Sequence, residues 1–387
     1  MESWLAVVFF LGAVLGHATL LVRSHNWCYG LRLDRHVTDA LQVLHGLLTL
    51  AGPVVFWLAG PDLLPLLTAA DVPLVPRLLG VYAAVCCVVG LVVLPAVTVA
   101  RLRRRCPSLL ANHTETVDVA RHLGCKPCGG GKDRLLAHLP FNQAFQIDLT
   151  ERTLSLPRLP PEWDGLTVLH LSDLHLCGTP GLPYWEYVFD RCAAWEPDLV
   201  ALTGDLVEGA AYLGWLGPLL SRLRWRVAGL AILGNHDHWY EPDETRLLLR
   251  RAGLRVLTNS WEQIEVRGKP MVVVGHEGPW LRPDPDLSGS PEGVFRLCLS
   301  HTPDNIAWAR RHEIDLMLSG HVHGGQIRLP LIGSLLVPSA YGRRYDCGTF
   351  DEPPTLLHVS RGLSGEHPLR YGCRPEVTRL TLRCAGG

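Results

Sequence analysis

Carboxylate, imidazole and carboxamide side chains stand directly after five short, mainly apolar runs of the sequence. The runs cover residues 166–171, 199–202, 229–233, 295–299 and 316–318. Each is predicted to be a buried strand, because it ends where glycine or polar residues begin. The carboxyl ends of parallel strands meet at one edge of an α/β sheet, where ligands bind. We therefore expect the polar residues at these ends to lie together: Asp173, His175, Asp205, Asn235, His236, Asp237, His301, His321 and His323.

Seven of these side chains, all except His236 and Asp237, form a set of oxygen and nitrogen donors without a thiolate. Such a set suits Mn²⁺, Fe²⁺ or Zn²⁺ better than a structural zinc site, which favours cysteine. Seven ligands are too many for one small cation, whereas two ions that share a carboxylate would use them all. Two metals about 3.5–4 Å apart can hold a bridging hydroxide and stabilise both oxygens of an in-line phosphoryl displacement. The donor set therefore predicts an enzyme that hydrolyses a phosphate ester with two divalent ions.

The residues after 164 alternate short apolar runs with amphipathic stretches. A sixth strand is predicted at 271–274, and the periodicity predicts helices at 184–194, 213–223, 243–252 and 304–311. This alternation is typical of an α/β layered fold.

Three stretches of the first 100 residues contain no Lys, Arg, Asp or Glu. They cover residues 4–22, 41–60 and 78–100, and each is close to the roughly 20 residues that cross a bilayer as a helix. The whole chain is 48% hydrophobic and only 19% charged, with a mean hydropathy of +0.15, which also favours membrane segments. We predict a multi-pass membrane protein with three transmembrane helices within residues 1–105.

The arginines that flank these stretches predict the orientation in the membrane. Arg23, Arg32 and Arg35 follow the first stretch and an arginine cluster at 101–105 follows the third, whereas the connection between the second and third offers only Arg77. By the positive-inside rule, the residues after 100 are cytoplasmic. A cleaved signal peptide, with a cleavage site at 16–18, is the alternative and would place the soluble part outside. The basic n-region of a signal peptide is missing, however.

Composition excludes one partner class and leaves one cysteine pair open. Lys plus Arg number 36 against 37 for Asp plus Glu, a net charge of -1, so no nucleic-acid partner is expected. Among 12 cysteines only Cys125 and Cys128 have the CxxC spacing of a metal or redox site, which is a weak signal without a second pair. Residues 106–163 are polar and irregular and are predicted to be a connector to a catalytic domain at 164–387.

The strand-end motifs together resemble the calcineurin-like metallophosphoesterase superfamily over about residues 164 to 383. The resemblance rests on Asp173-x-His175, Gly204-Asp205, the Gly-Asn-His-Asp run at 234–237, His301 and the Gly-His-x-His run at 320–323. It implies a four-layer α/β/β/α sandwich with a dinuclear metal centre at one edge. One metal would be held by Asp173, His175, Asp205 and His323, and the other by Asp205, Asn235, His301 and His321.

The same resemblance implies a role for His236 that is separate from metal binding. Its ring would lie over the phosphate, where it would stabilise transition-state charge or protonate the leaving oxygen, with Asp237 as the partner that orients the ring. The protein phosphatases of the superfamily carry a glycine after D-x-H and an Asp-Arg-Gly after the second motif. Leu176 and the sequence Val-Glu-Gly at 207–209 differ from both, which disfavours a phosphoprotein substrate.

The C-terminal motifs point to one branch of the superfamily. The run at 321–326, Ser-Arg-Gly-Leu at 360–363 and the sequence at 372–376 resemble the membrane-associated phosphodiesterases of bacteria. A UDP-diacylglucosamine hydrolase and the eukaryotic transmembrane proteins with a metallophosphoesterase domain are related to this branch. A membrane tether would raise the local concentration of a lipid-linked phosphate or pyrophosphate, which is therefore the favoured substrate class.

Two other function classes are compatible with parts of the sequence. A catalytically silent membrane scaffold of the same fold would be favoured by a missing ligand, and no ligand is missing. Transport through the three helices would usually need charged groups within the spans, and none of the three stretches contains Asp, Glu, Lys or Arg.

Overall fold

The computed structural model describes residues 3–31, 33–59 and 71–385, which fall into two compact units. Unit 1 contains Met1–Arg105 and Pro338–Arg344, and unit 2 contains Cys106–Val337 and Tyr345–Gly387.

Unit 1 is built from three long helices, α1 (Ser3–Tyr29), α2 (Arg35–Leu58) and α3 (Leu74–Arg103). All three are long and apolar enough to cross a membrane, with mean hydropathies of 2.3, 1.6 and 2.6. The predicted spans lie within these helices, apart from the last two residues of the second span. Ala59 follows the end of α2, and Gly60 lies outside the described residues. A π-helical turn at Val89–Val93 interrupts the α-helical geometry of α3.

Glycine allows α1 and α3 to approach closely. A Cβ added to Gly16 would lie 1.7 Å from the Cys86 carbonyl oxygen, and one added to Gly90 would lie 2.3 Å from the Gly12 carbonyl oxygen. Small residues at such contacts are typical of helix pairs in lipid. The buried His17 ring is satisfied by the Tyr82 hydroxyl and the Leu48 carbonyl oxygen, at 2.7 and 2.9 Å.

Unit 2 contains two large mixed sheets. The first has seven strands in the order β1 (Leu109–Asp118), β2 (Gln146–Leu156), β15 (Glu376–Cys384), β3 (Leu166–Leu171), β4 (Leu199–Thr203), β5 (Ala228–Ile232) and β6 (Arg255–Val256). The second has six strands in the order β13 (Gly348–Glu352), β14 (Thr355–Val359), β10 (Leu316–Ser319), β9 (Arg296–Ser300), β8 (Lys269–His276) and β7 (Trp261–Val266). A small hairpin of β11 (Arg328–Leu329) and β12 (Gly333–Ser334) stands apart from both.

Helices cover the sheets. They are α4 (Val119–Leu123), α5 (Gly131–Ala137), α6 (Leu182–Ala193), α7 (Leu213–Leu220), α8 (Asn235–Trp239), α9 (Pro242–Arg251) and α10 (Ile306–Arg311). Short 3₁₀ turns lie at Pro161–Trp163, Ala210–Tyr212, Pro303–Asn305, His323–Gly325 and Gly342–Tyr345. All six predicted strands and all four predicted amphipathic helices of unit 2 are found, with ends displaced by a few residues.

Two apolar cores define the layers. Leu166 and Val168 of β3 point into a core shared with Val273 and Leu297 of the second sheet. The opposite face of β3, with Leu169 and Leu171, packs in a core that also contains Val188 of α6, Leu216 of α7 and Leu249 of α9. Helix α10 packs against β14. The α/β class and the layered sandwich predicted from the sequence are confirmed.

The segment 106–163, predicted to be a connector, supplies β1 and β2 to the edge of the first sheet. Strand β2 pairs antiparallel with β1 and parallel with β15, which is more than 200 residues away in the chain. Strand β1 is largely exposed, so it lacks the apolar pattern that would reveal a strand in the sequence. The boundaries of the three sequence regions stay a prediction.

The strand directions bring the polar strand ends to one edge. Strands β3, β4 and β5 are mutually parallel in the first sheet, and β8, β9 and β10 are parallel in the second. Their carboxyl ends therefore open toward the loops at 172–176, 203–208, 233–237, 300–302 and 319–325.

Candidate metal centre

The first group of donors consists of Asp173, His175, Asp205 and His323, whose ligand atoms all lie within 4.8 Å of one another. His175 Nε2 lies 3.6 Å from Asp205 Oδ2 and 3.2 Å from His323 Nε2. His323 Nε2 lies 3.7 Å from Asp173 Oδ1. The four side chains come from three separate strand ends, and the fold brings them together as expected.

The second group consists of Asp205, His301 and His321. His301 Nε2 lies 3.1 Å from Asp205 Oδ2 and also 3.1 Å from the Asn235 amide oxygen. The rings of His301 and His321 have centroids 5.0 Å apart. Asp205 therefore belongs to both groups, and all seven predicted donor residues lie at this edge of the sheets.

The backbone at the strand ends is held in a costly conformation. Five of the donor residues have positive φ angles between 44° and 68°, namely Asp173, His175, Asp205, His321 and His323. Each such residue costs of the order of 1 kcal/mol, and such strain clusters at functional sites. Close packing requires glycine beside them, because a Cβ on Gly320 would lie 1.8 Å from Ser172 Oγ and one on Gly234 would lie 2.2 Å from Asp205 Oδ1.

The donor atoms that face the centre fit divalent cations. His321 Nε2 is buried and makes no hydrogen bond to the described residues, and the buried Asp205 Oδ2 faces the rings of His301 and His175 at 3.1 and 3.6 Å. His175 Nε2 and His323 Nε2 lie 3.2 Å apart, and both nitrogens face the centre. Buried polar atoms are nearly always satisfied, so inward-facing lone pairs at several strand ends are what bound cations would explain.

Electrostatics at the site favours ionisation of Asp205, whereas burial raises the pKa of Asp173. Burial opposes ionisation of Asp205, but His301 and the neighbouring imidazoles outweigh it and hold the pKa of Asp205 well below its usual range. Burial also opposes protonation of His301, yet Asp205 outweighs this effect and raises the pKa of His301 to about 9. Burial lowers the pKa of His321 and of His323, so both are neutral and able to bind a cation. Metal binding here would displace the proton that Asp205 attracts to His301.

The outer nitrogen atoms of the donor imidazoles are fixed by hydrogen bonds. His301 Nδ1 contacts the Thr203 carbonyl oxygen at 2.6 Å, and His323 Nδ1 contacts the Ser364 carbonyl oxygen at 3.0 Å. A carbonyl oxygen only accepts, so Nδ1 carries a proton in both rings, and Nε2 is the nitrogen that faces the centre. His175 Nδ1 makes a short hydrogen bond to the Glu208 carboxylate.

Glu208 also hydrogen-bonds the His236 ring, with 2.9 Å between Oε2 and Nδ1. Its carboxylate is buried, and burial alone would raise its pKa, but the hydrogen bonds from His175 and His236 outweigh this and lower the pKa of Glu208 to about 2. The sequence analysis did not select Glu208 as a site residue. In the sequence, the only indication for Glu208 is that it is an acidic residue three positions after Asp205.

The orienting contact expected from Asp237 to the His236 ring is replaced by the one from Glu208. The Asp237 carboxylate instead accepts the backbone N–H groups of Gly234, Leu206 and Val207 at 2.9, 2.8 and 3.2 Å. Asp237 is the third residue of a helix, where a carboxylate naturally turns back onto free N–H groups. Burial, with Asp205 nearby, raises the pKa of Asp237 to about 6.

His236 lies at the rim of the centre. Its backbone N–H donates to Asp205 Oδ1 at 2.9 Å, and its ring lies 4.7 Å from the His175 ring and 4.6 Å from the Trp239 ring. Trp280 is a second neighbour that the sequence analysis missed, with its ring 4.7 Å from the ring of His321. Cys125 is exposed and Cys128 partly buried, and neither belongs to a metal-ligating group among the described residues.

Comparisons with known proteins agree with this geometry. The family model for the calcineurin-like phosphoesterases matches residues 166–325. The phosphodiesterase YaeI of Escherichia coli is 32% identical over 220 residues, which cover 56% of this chain and 81% of that protein. The chain belongs to the calcineurin-like metallophosphoesterase family. As a member of this metallophosphoesterase family it is a metal-dependent phosphoric ester hydrolase.

Two further relatives of this metallophosphoesterase show how the family varies. The Transmembrane protein with metallophosphoesterase domain of Bos taurus is 27% identical over 267 residues, 63% of this chain and 59% of that protein. The UDP-2,3-diacylglucosamine pyrophosphatase LpxG of Chlamydia muridarum is 23% identical over 298 residues, 62% of this chain and 89% of that protein. The relatives and the three apolar helices together indicate a membrane protein with a metallophosphoesterase domain.

Proposed function

We propose that this protein is a membrane-anchored phosphoesterase that hydrolyses a phosphodiester or pyrophosphate bond with two divalent metal ions. The observation that carries the proposal is the position of Asp205, whose carboxylate belongs to both donor groups. A shared carboxylate between two sets of imidazoles is the arrangement that a two-metal site needs.

Each ion would take four ligands from this chain. Asp173, His175, Asp205 and His323 would hold one ion, and Asp205, Asn235, His301 and His321 would hold the other. Manganese, iron and zinc all suit such oxygen and nitrogen donors. When bound, the ions would supply Lewis-acid stabilisation of the phosphoryl oxygens and activate the attacking water.

His236 would handle the proton on the leaving oxygen. Its Nδ1 is held by Glu208, so the opposite nitrogen is the one left to reach a substrate. The ionised Glu208 carboxylate would stabilise the positive charge of the protonated ring while the ring donates to the leaving oxygen. Because Asp237 is occupied by backbone N–H groups, we assign it the structural task of holding the ends of β4 and β5.

We infer that the substrate is lipid-linked. Three candidate spans would keep the catalytic domain beside a bilayer, where the phosphate groups of lipids are concentrated. The similarity to a UDP-2,3-diacylglucosamine pyrophosphatase supports the same class of substrate. The arginines at 101–105 and the other basic flanks support a cytoplasmic location of the catalytic part. We divide the chain into a membrane region at 1–105, a linking segment at 106–163 that contributes edge strands, and a catalytic domain at 164–387.

The test uses the full chain purified in detergent and stripped of metal. Mn²⁺, Fe²⁺ or Zn²⁺ is added back, and hydrolysis of bis-p-nitrophenyl phosphate is measured together with the bound metal per chain. We expect turnover that rises as the bound metal approaches two ions. A folded protein that binds two ions and hydrolyses no phosphoester would overturn the proposal.

The substrate class is tested separately with membrane lipid extracts and nucleotide-lipid intermediates. Phosphorus-containing products are followed by mass spectrometry, with Asp205→Ala protein as the matched control. A product that forms only with the unaltered chain identifies the substrate. Turnover of soluble diesters with no lipid-derived product would refute the lipid-linked class and leave the hydrolase proposal intact.

A further inference from the structure

Six exposed apolar side chains of unit 2 lie on two short segments. Helix α5 and the turn after it carry three of them, and Phe141 is 91% exposed. The hairpin of β11 and β12 and the residues after it carry the other three, and Leu331 at its tip is 79% exposed. We define the apolar patch as Leu135, Leu139, Phe141, Leu329, Leu331 and Leu336.

Tyr371 joins the two segments into one surface. Its hydroxyl donates to the Pro140 carbonyl oxygen at 3.0 Å, beside Phe141. Its backbone N–H donates to the Gln326 carbonyl oxygen at 3.0 Å, and its own carbonyl oxygen accepts the Arg328 N–H at 2.8 Å. The turn at 140 and the start of the hairpin therefore lie on either side of a single residue.

The remaining large apolar side chains of unit 2 are distributed differently. Apart from the patch and the adjoining Ile327, the described residues of this unit expose only Leu110, Trp239 and Leu247. Single exposed apolar residues are normal on a soluble surface, whereas a concentration of them marks a contact site. The patch is such a concentration.

We propose that the apolar patch contacts the surface of the lipid bilayer that α1, α2 and α3 cross. The chain path supports a lipid partner, because Leu336 stands two residues before Pro338, where the chain enters unit 1. Two residues of chain span at most about 7 Å. The patch therefore lies next in the chain to a segment of the membrane unit.

The segment Pro338–Arg344 belongs to unit 1, where it contacts the arginine-bearing ends of two spanning helices. The Arg344 carbonyl oxygen accepts a hydrogen bond from Arg104 at 3.2 Å, and a Cβ on Gly342 would lie 3.1 Å from the Arg23 guanidinium. Arginines at the ends of membrane-spanning helices lie at headgroup level. The segment 338–344 is therefore at the membrane surface, and the hairpin before it is within reach of the same surface.

Charge next to the patch matches an anionic bilayer. Lys132 and Arg134 are exposed on α5 beside Leu135, and Asp133 stands between them. Segments that lie at a membrane surface usually insert apolar side chains at the boundary of the acyl region. Their lysine and arginine side chains contact the anionic headgroups. This contact concerns lipid alone and does not depend on the substrate proposed above.

The patch is linked to the metal centre through few residues. Gln326 donates its backbone N–H to the His323 carbonyl oxygen at 3.1 Å, and the buried Arg370 donates to the same oxygen at 2.9 Å. Arg370 is followed directly by Tyr371, the residue that joins the patch. Contact of the patch with the bilayer would therefore fix the His323 side of the centre near the headgroups.

Photocrosslinking tests the contact in the full chain. The protein is reconstituted in vesicles of phosphatidylethanolamine and phosphatidylglycerol with p-benzoyl-phenylalanine in place of Phe141 or of Leu331. The same probe at Leu247, which is exposed on α9 outside the patch, is the matched control. After illumination, lipid and protein adducts are quantified by mass spectrometry. We expect at least several-fold more lipid adduct at both patch positions than at Leu247.

Three outcomes overturn the proposal. They are equal lipid yields at the patch and at Leu247, no lipid adduct at the patch, or a predominance of chain-to-chain adducts, which would assign the patch to a second copy.

A double variant, Lys132→Gln with Arg134→Gln, tests the charge. With the probe in place of Phe141, this variant should give less lipid adduct in the anionic vesicles and an unchanged amount in phosphatidylcholine vesicles. An unchanged amount of lipid adduct in the anionic vesicles would contradict contact with an anionic lipid surface. Turnover of bis-p-nitrophenyl phosphate in detergent reports that each variant is folded.

Discussion

The carboxylate of Glu208 lies between the Nδ1 atoms of His175 and His236 and hydrogen-bonds both rings. One of these rings faces the donor cluster through Nε2, and the other lies at its rim. A single buried acid therefore sets the orientation of a candidate metal ligand and of the candidate proton donor. Substitution of a residue that hydrogen-bonds and orients a metal ligand commonly lowers metal affinity or activity by about 10- to 100-fold.

Glu208→Gln should lower kcat by about 10- to 100-fold, because the amide carries no charge and accepts only through its single oxygen. The variant should remain folded, since the substitution preserves size. Steady-state kinetics over a range of pH, together with metal content by mass spectrometry, measures the effect. The pH profile should change as well, because the substitution removes the carboxylate that hydrogen-bonds both His175 and His236. A wild-type kcat and pH profile would remove Glu208 from the mechanism.

Asp205→Ala and His236→Ala should differ in metal content. Asp205 belongs to both donor groups of the proposed centre, so its loss should empty both metal sites. The His236 ring is held by Glu208 at the rim, and we expect its loss to leave the metals bound. Loss of a proton donor costs about 10²- to 10⁴-fold in rate. Metal stoichiometry and kcat, measured on the same preparations, separate the two effects. If His236→Ala loses its metals, its assignment outside the metal ligands is wrong.

The candidate donor residues could be located from the sequence because strand ends leave a local pattern. Apolar runs that stop at Asp205 or His301 can be read without knowing the partners of each strand. Glu208 and Trp280 carry no such pattern, since their contacts with His236 and His321 depend on how loops from distant strands fold over the centre. Strand β1 was missed for a related reason, because its pairing with β2 and, through β2, with β15 is a long-range relationship.

Asp237→Ala should destabilise the protein more than it affects chemistry. The substitution would leave the backbone N–H groups of Gly234, Leu206 and Val207 without their acceptor in a buried site. Each unsatisfied buried group costs about 1–3 kcal/mol, so the free energy of unfolding should fall by at least about 3 kcal/mol. Thermal unfolding followed by fluorescence in detergent measures the loss. Asp237→Asn keeps one acceptor oxygen and should lose less, with kcat close to wild type below its unfolding temperature. A large loss of kcat in folded Asp237→Asn protein would instead support a catalytic role.

The ionised Glu376 carboxylate stabilises unit 2, and this stabilisation is lost at acidic pH. Burial opposes its ionisation, but the guanidinium groups of Arg152 and Arg361, at 2.8 and 3.1 Å, outweigh burial and hold the pKa of Glu376 well below its usual range. Because the folded-state pKa lies below the unfolded value, this stabilisation is complete above the unfolded pKa of about 4.3 and is lost as the pH falls toward the folded value.

Glu376→Gln should therefore lower stability at neutral pH and flatten its dependence on pH below about 4.5. Removing one partner of a buried ion pair costs about 3–5 kcal/mol, because the largely buried Arg152 loses its carboxylate partner, whereas Arg361 keeps its ion pair with Asp148. Thermal unfolding temperatures between pH 3 and pH 8, with the exposed ion pair of Arg226 and Glu196 altered by Glu196→Gln as the matched control, give both effects. The control should stay within about 1 kcal/mol of wild type, since exposed pairs contribute little. A Glu376→Gln protein as stable as the control at pH 7 would show that the charge of Glu376 does not stabilise this fold.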